Sequence, residues 1–316
     1  MHKISRRDAL AQAGLLTGST LLSGKSQAAD ASNHPAKNIA GGFRYCLNTA
    51  TIRGQKLGII KEIEVAAKAG YDSIEPWMSS LDDYVKGGNT LNDLKQRISD
   101  SGLTVESAIG FSEWITDDET RRAQGLEKAK HDLDVISQIG GKRLAAPPAG
   151  ATNLPKLDLM AAAERYRILL EAGERVGVVP QLELWGFSKN LNRLGECICV
   201  AIETGHSKAC VLADIYHMHK GGSTVQGINL LGPNAIHVMH MNDYPADPPR
   251  EKIDDSYRVY PGDGVAPLMD ILRALRETGG QKVLSLEVFN RKYWTEDPLE
   301  VAKTGLSKMK AVTEKI

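Results

Sequence analysis

The segment Val179-Pro180-Gln181-Leu182-Glu183-Leu184-Trp185-Gly186 reads as a strand with one polar face and one apolar face. Strand side chains alternate between faces, so Gln181, Glu183 and Trp185 share one side while Leu182 and Leu184 share the other. The leucines suit a covering layer of helices. Glu183 is thereby sent into the interior of a sheet, where a lone carboxylate is very costly unless a cation or hydrogen-bond donors meet it. Leu284-Ser285-Leu286-Glu287-Val288 repeats the pattern, with Ser285 and Glu287 inward and the apolar residues outward. Two inward carboxylates at the C-terminal ends of two strands converge on one mouth if the sheet closes.

Working outward, β-type runs at 43–49, 72–77, 104–110, 143–147, 179–186, 210–216, 236–242 and 282–289 alternate with helical stretches. That alternation is the signature of βα units and a parallel sheet. Eight units predict an α/β fold, a (β/α)₈ TIM barrel spanning residues 43–316. Glycines after helical runs, at Gly70, Gly140, Gly177 and Gly279, sit where helices should stop before strands. The rival open, doubly wound sheet normally carries a glycine-rich phosphate loop after its first strand, and Asn48-Thr49-Ala50-Thr51 is not one. At 316 residues the length suits one large barrel. The stretch from Tyr244 to Gly264, with four prolines and a Pro261-Gly262-Asp263-Gly264 turn, is long enough to be a functional loop.

Between the two glutamate strands, the runs 211–213 and 236–239, apolar but for His237, lead into Asp214 and His240. Glu183, Asp214, His240 and Glu287 all fall at strand C-termini, the face on which barrel active sites are built. Three oxygen donors and one nitrogen suit one divalent metal ion of intermediate hardness, Mn²⁺ first, with Co²⁺, Mg²⁺ or Zn²⁺ as other candidates. Trp77 and Trp185 are candidates for an apolar wall against a bound substrate, and Glu75, two residues before Trp77 and pointing the same way, is assigned to the substrate with them. His237 has the opposite strand parity to His240 and should face a helix.

The chain resembles the xylose-isomerase-like barrels, a family of sugar (and sugar phosphate) isomerases and epimerases that also includes inosose dehydratase and an endonuclease branch. The resemblance rests on LELWGF around Glu183, LADIYHMHKGG around Asp214 and His217, HVMHMNDYP around His240, and LSLEVFN around Glu287, with SIEPW and PGDG also familial. It implies metal ligation by Glu183, Asp214, His240 and Glu287, with substrate contact by His217. The endonuclease branch holds a zinc cluster with additional histidines, and this chain has only 8, none at its second or third strand. Ketose 3-epimerases carry an arginine shortly after the strand-seven histidine. Here the first one is Arg250, assigned to substrate contact with Arg258 as the other candidate.

The implied activity is metal-dependent sugar isomerisation or epimerisation. Glu183 and Glu287 would be the catalytic pair, acting through proton abstraction α to a carbonyl and an enediolate. A dehydratase or lyase reaction on a keto-sugar or inosose uses the same site, and a non-catalytic periplasmic barrel that binds sugar or metal is the reading of a different class. Lys plus Arg equals Asp plus Glu at 39 each, so no basic field attracts nucleic acid. The expected partner is a small-molecule carbohydrate substrate, and a homo-oligomer is compatible with the sequence. Cys197 and Cys199 lie two apart on a predicted helix and cannot jointly grip a metal, while a disulfide through Cys210 is left open.

Residues 1–28 read differently from the rest. Ser5-Arg6-Arg7-Asp8, a short apolar run from Ala9 to Leu22, and Ser26-Gln27-Ala28 match a twin-arginine export signal, followed by a linker over 29–42. The run is too short and too rich in Gly, Ser and Thr for a stable membrane span, which takes about 20 apolar residues. Export to the periplasm is expected. Lysine at positions 6 and 7 should leave folded, unprocessed protein in the cytosol, because the export machinery reads the arginine pair as an address; fractionation that finds the double variant still exported would contradict this.

Overall fold

Eight short parallel strands alternate with helices in a computed structural model that describes residues 42–316. The export-signal reading of residues 1–28, and all but the end of the linker, lie outside the described residues. In chain order the strands are β1 Phe43–Asn48, β2 Ser73–Glu75, β3 Thr104–Val105, β4 Arg143–Ala146, β5 Val179–Glu183, β6 Val211–Asp214, β7 Ile236–Met241 and β8 Lys282–Leu286. Ladders run in the order β3-β2-β1-β8-β7-β6-β5-β4, so β1 pairs with β8 as a barrel requires. The remaining seam is bridged by backbone hydrogen bonds from Lys142 N to Val105 O (3.2 Å), Ala108 N to Arg143 O (3.1 Å) and Ala145 N to Ala108 O (2.8 Å). The expected (β/α)₈ TIM barrel is the fold.

The third strand is far shorter than the run 104–110 suggests. Beyond Val105 the ladder to β2 breaks and resumes only at Ile109 against Pro76 and Trp77, while Ala108 bonds to β4, and the Glu106 carboxylate is held by Arg44 and Lys142. Burial works against that carboxylate's charge, but Lys142 and Arg44 outweigh it and hold its pKa below the usual range.

The surrounding helices are α1 Ile59–Ala69, α2 Met78–Lys86, α3 Leu91–Asp100, α4 Glu119–Gln138, α5 Leu159–Val176, α6 Leu194–Glu203, α7 Ile215–Gly221, α8 Leu268–Glu277 and α9 Pro298–Thr313. Gly70 and Gly177 end α1 and α5 in the left-handed conformation, at φ 93° and 74°, which a Cβ would strain. Outward strand residues such as Leu182, Leu184, Leu284 and Leu286 pack in the main core against the helices. Inside the barrel, Cys46, Ile109, Ala145, Leu212, Val238 and Val283 form a second, smaller apolar cluster. Cys210 is a free thiol, as are the other three cysteines. Among the described residues no helix is long and apolar enough to cross a membrane.

Candidate active site

Strand β7 sends Val238 into the inner cluster and, one strand period later, His240 to the mouth side, where it is fully buried. Its Nε2 lies 3.1 Å from Glu75 Oε2. Donation to that carboxylate puts the proton on Nε2 and leaves the Nδ1 lone pair free, the arrangement in which a carboxylate orients a metal-binding histidine. Nδ1 has no hydrogen-bond partner and stands 3.1 Å from Glu287 Oε2 and 3.5 Å from Asp214 Oδ2. Asp214, His240 and Glu287 thus present ligand atoms all within 4.8 Å of one another. Two carboxylates and an imidazole with an unpartnered nitrogen fit a divalent metal ion; the donor set alone does not choose Mn²⁺ over its neighbours.

The electrostatics fit as well. Burial opposes charge on His240, yet the Glu287 and Glu75 carboxylates outweigh it and hold the imidazole pKa well above its usual value. A proton and a cation therefore compete for Nδ1, and metal uptake should strengthen as pH rises. Glu75 also accepts from Asn48 Nδ2 (3.0 Å) and Ser285 Oγ (2.6 Å), and is wholly buried. Assigned from the sequence to the substrate, Glu75 instead faces the His240 ring, a position from which it can orient that ring. Glu75→Gln should weaken divalent-metal binding by about 10- to 100-fold while leaving stoichiometry at saturation unchanged. Calorimetric titration that returns the wild-type affinity would refute this role.

Glu183 stands apart from that group of three. It is buried at the end of β5, its Oε2 has no hydrogen-bond partner, and it lines the cavity at the mouth. Burial, reinforced by Glu287 and Asp214 against the opposing pull of His240, pushes its pKa up to about 8. Asp214 goes the other way: despite burial, Arg258 and His217 hold its carboxyl far below the usual range. Its Oδ1 caps α7 by accepting from His217 N (2.7 Å), so the cap fixes Oδ2 toward the site.

Arg258 is the residue that sequence reasoning placed last. The loop after β7 folds back onto Asp243, whose carboxylate accepts from the N–H groups of Gly262, Gly264 and Ala266, and Val259 bridges to Asp243. That fold-back buries Arg258 completely. Its Nη1 donates to Asp214 Oδ2 (2.8 Å) and Glu287 Oε2 (3.0 Å), and Nη2 donates to His217 Nε2 (3.1 Å) and to Asp255. Arg250, the assigned substrate contact, is instead half-exposed on the outer part of the loop beside Glu251 and Gly222, and does not line the cavity. The reason is the loop's geometry, which aims Arg258 inward and leaves Arg250 outside.

A cavity of about 290 Å³ opens over these groups, lined by Glu183, His217, Arg258 and Glu287 below and by Trp77, Trp185 and other aromatic rings above. His217 is buried; burial first, and Arg258 second among the opposing influences, keep its pKa below the usual imidazole value. Because Nε2 accepts from Arg258, the proton of the neutral ring belongs on Nδ1, which has no partner. Five of the ten buried polar side-chain atoms without partners among the described residues belong to Glu75, Glu183, His217, His240 and Arg258. Such atoms are rare in folded proteins, so their gathering at one mouth marks a ligand site. Asn48, which bridges Glu75 and Glu287 at 3.0 Å each, and Asn242, which donates to Asp214, were also missed; inward parity at the ends of β1 and β7 was the available signal.

The fold is a parallel eight-stranded barrel whose strand ends gather two carboxylates and an imidazole that could hold a metal ion. The Xylose isomerase-like TIM barrel model matches residues 63–312, and the chain belongs to that family. It is similar to the inosose isomerase of Bacillus velezensis, with 25% identity over 277 residues that cover 86% of this chain and 98% of that one. It is also similar to the 3-dehydro-D-guloside 4-epimerase of Escherichia coli K12, 24% identical over 234 residues, 69% of this chain and 84% of that one. Among solved structures, the IOLI protein with a binding zinc atom shares the fold at a TM-score of 0.79 and 23% identity, covering 86% of this chain and 98% of that one.

Proposed function

We propose that this chain is a divalent-metal-dependent sugar isomerase or epimerase that removes a proton from a carbon α to a carbonyl. The observation that carries the reading is the unpartnered His240 Nδ1, grouped with Asp214 and Glu287 beside a buried, unpartnered Glu183. Asp214, His240 and Glu287 would hold the ion. A divalent cation there supplies Lewis-acid stabilisation of the oxygen on which charge develops.

The protein's own groups do the rest. Glu183 takes the C–H proton and the bond's electron pair passes into the enediolate; Glu183 then returns the proton to the neighbouring carbon, or the carboxyl of Glu287, protonated from solvent, delivers one to the opposite face of the same carbon while Glu183 loses its own to water. The first outcome is aldose–ketose isomerisation and the second is epimerisation. His217 offers its Nδ1 proton to a substrate hydroxyl, and the aromatic walls exclude water. The related inosose isomerase and guloside epimerase support a keto-sugar or keto-polyol as the substrate class. The export-signal reading of residues 1–28 places the reaction in the periplasm.

Incubation of the Mn²⁺-loaded protein in deuterated water with an inosose and common ketoses tests the proposal. Deuterium should appear at a carbon α to the carbonyl and should vanish when a chelator removes the metal. Silence across the panel, with metal bound, would favour a non-catalytic sugar-binding barrel.

A further inference from the structure

Aromatic residues make up 5% of the chain, and Phe occurs only four times. Three of those four, Phe111, Phe187 and Phe289, line the same mouth, together with Trp77 and Trp185. The rings form a connected arc: Phe289 to Trp77 at 6.1 Å, Trp77 to Phe111 at 5.1 Å, Phe111 to Trp185 at 6.0 Å and Trp185 to Phe187 at 5.3 Å between centroids. Phe111 and Phe187 are 40% and 44% exposed, so apolar surface is left facing solvent at the outer edge. Exposed apolar surface around a concave site marks a place where a ligand is received.

That arc offers more apolar surface than a free monosaccharide or cyclitol covers. Such a ring carries hydroxyls around its whole rim, and each must lose water on entry and find a partner. The polar groups of the cavity, Glu183, His217, Asp255, Arg258 and Glu287, can serve a single sugar ring. One aromatic ring suffices to cover the apolar face of a sugar, and phenylalanine offers hydroxyls no hydrogen bond. Several rings at the same mouth, two of them phenylalanines open to solvent, offer apolar surface beyond what one sugar ring covers, which fits a second and apolar part of the ligand.

We propose that the substrate is a glycoside. Its keto-sugar ring rests on the polar floor, and an aromatic aglycone is clasped among Phe111, Trp185 and Phe187. This rests on the proposed keto-sugar chemistry, and the test separates the two. Phenyl β-D-glucopyranoside and methyl β-D-glucopyranoside share a sugar and differ only in the aglycone. Titrated calorimetrically into the Mn²⁺-loaded protein, the phenyl glycoside should bind about tenfold tighter or better. Phe111→Ala and Phe187→Ala should each bring that ratio toward one, while Phe187→Trp should keep it, which shows that a lost ratio is not a lost fold.

Equal binding of the two glycosides, binding of neither, or a ratio that survives both alanine variants would overturn the inference. Deuterium exchange into the 3-keto forms of the same two glycosides reads the chemistry separately. Exchange without a phenyl preference leaves the isomerase reading standing and sinks the aglycone. A phenyl preference in binding without exchange in either compound does the reverse.

Discussion

His240→Ala is expected to weaken divalent-metal binding by roughly a hundredfold or more. Removing a group that merely orients a ligand costs about 10- to 100-fold, and His240 supplies a ligand atom itself. Its Nδ1 lies in the same small space as oxygens of Asp214 and Glu287, with Glu75 fixing the ring from behind. The variant leaves two carboxylates and Arg258, whose guanidinium already donates to both. Arginine and metal then compete for the same oxygens, and without the imidazole the arginine is favoured. Metal should raise the melting temperature of the wild type, because a ligand that binds only the folded state stabilises it, and should do so far less in the variant. Cys197→Ser should bind metal as the wild type does, since that thiol is buried on α6 among apolar neighbours. A His240→Ala protein with wild-type affinity and an undiminished metal-dependent shift would remove the candidate centre.

What could be read in advance followed from how far each physical signal reaches along the chain. Alternation within a strand is local, so the inward parity of Gln181, Glu183, Ser285 and Glu287 is written in five to eight residues, and all four side chains are buried. Glycine stops are local too, which is why the order of strands and helices could be counted. The length of the third strand escaped because a ladder depends on its neighbours: Val105 bonds to Lys142 just before β4, Ala108 bonds to β4, and Glu106 answers to charges from Arg44 on β1 and from Lys142. Arg258 was ranked behind Arg250 for a related reason. A loop has no period, and only the turn built on Asp243 decides that Arg258 points inward and Arg250 outward. Glu75 was given the right face but not its neighbour His240, since parity sends a side chain into the barrel without saying what stands beside it.

The two glutamates differ in their surroundings, and that difference predicts how their variants should behave. Both oxygens of Glu287 are engaged, Oε1 by Asn48 and Oε2 by Arg258, with His240 Nδ1 3.1 Å from Oε2. Glu183 keeps an unpartnered oxygen, lies outside the group of three ligand atoms, and lines the cavity where substrate would lie. Glu183 is therefore the better proton acceptor and Glu287 the better ligand. Glu183→Gln should lower turnover of the true substrate by about 10²- to 10⁴-fold with metal affinity little changed. Glu287→Gln should lose metal affinity as well, so that part of its activity returns at raised metal concentration. The pH dependence separates them further. Burial pushes the Glu183 pKa up to about 8 without a cation, and a cation beside it lowers that value, so the base form accumulates as pH rises through a pKa at or below about 8. Wild-type kcat/KM should climb along that acid limb, whereas in Glu183→Gln the residual rate should lose it. Near-normal turnover by metal-saturated Glu183→Gln, with the limb intact, would show that the proton goes elsewhere.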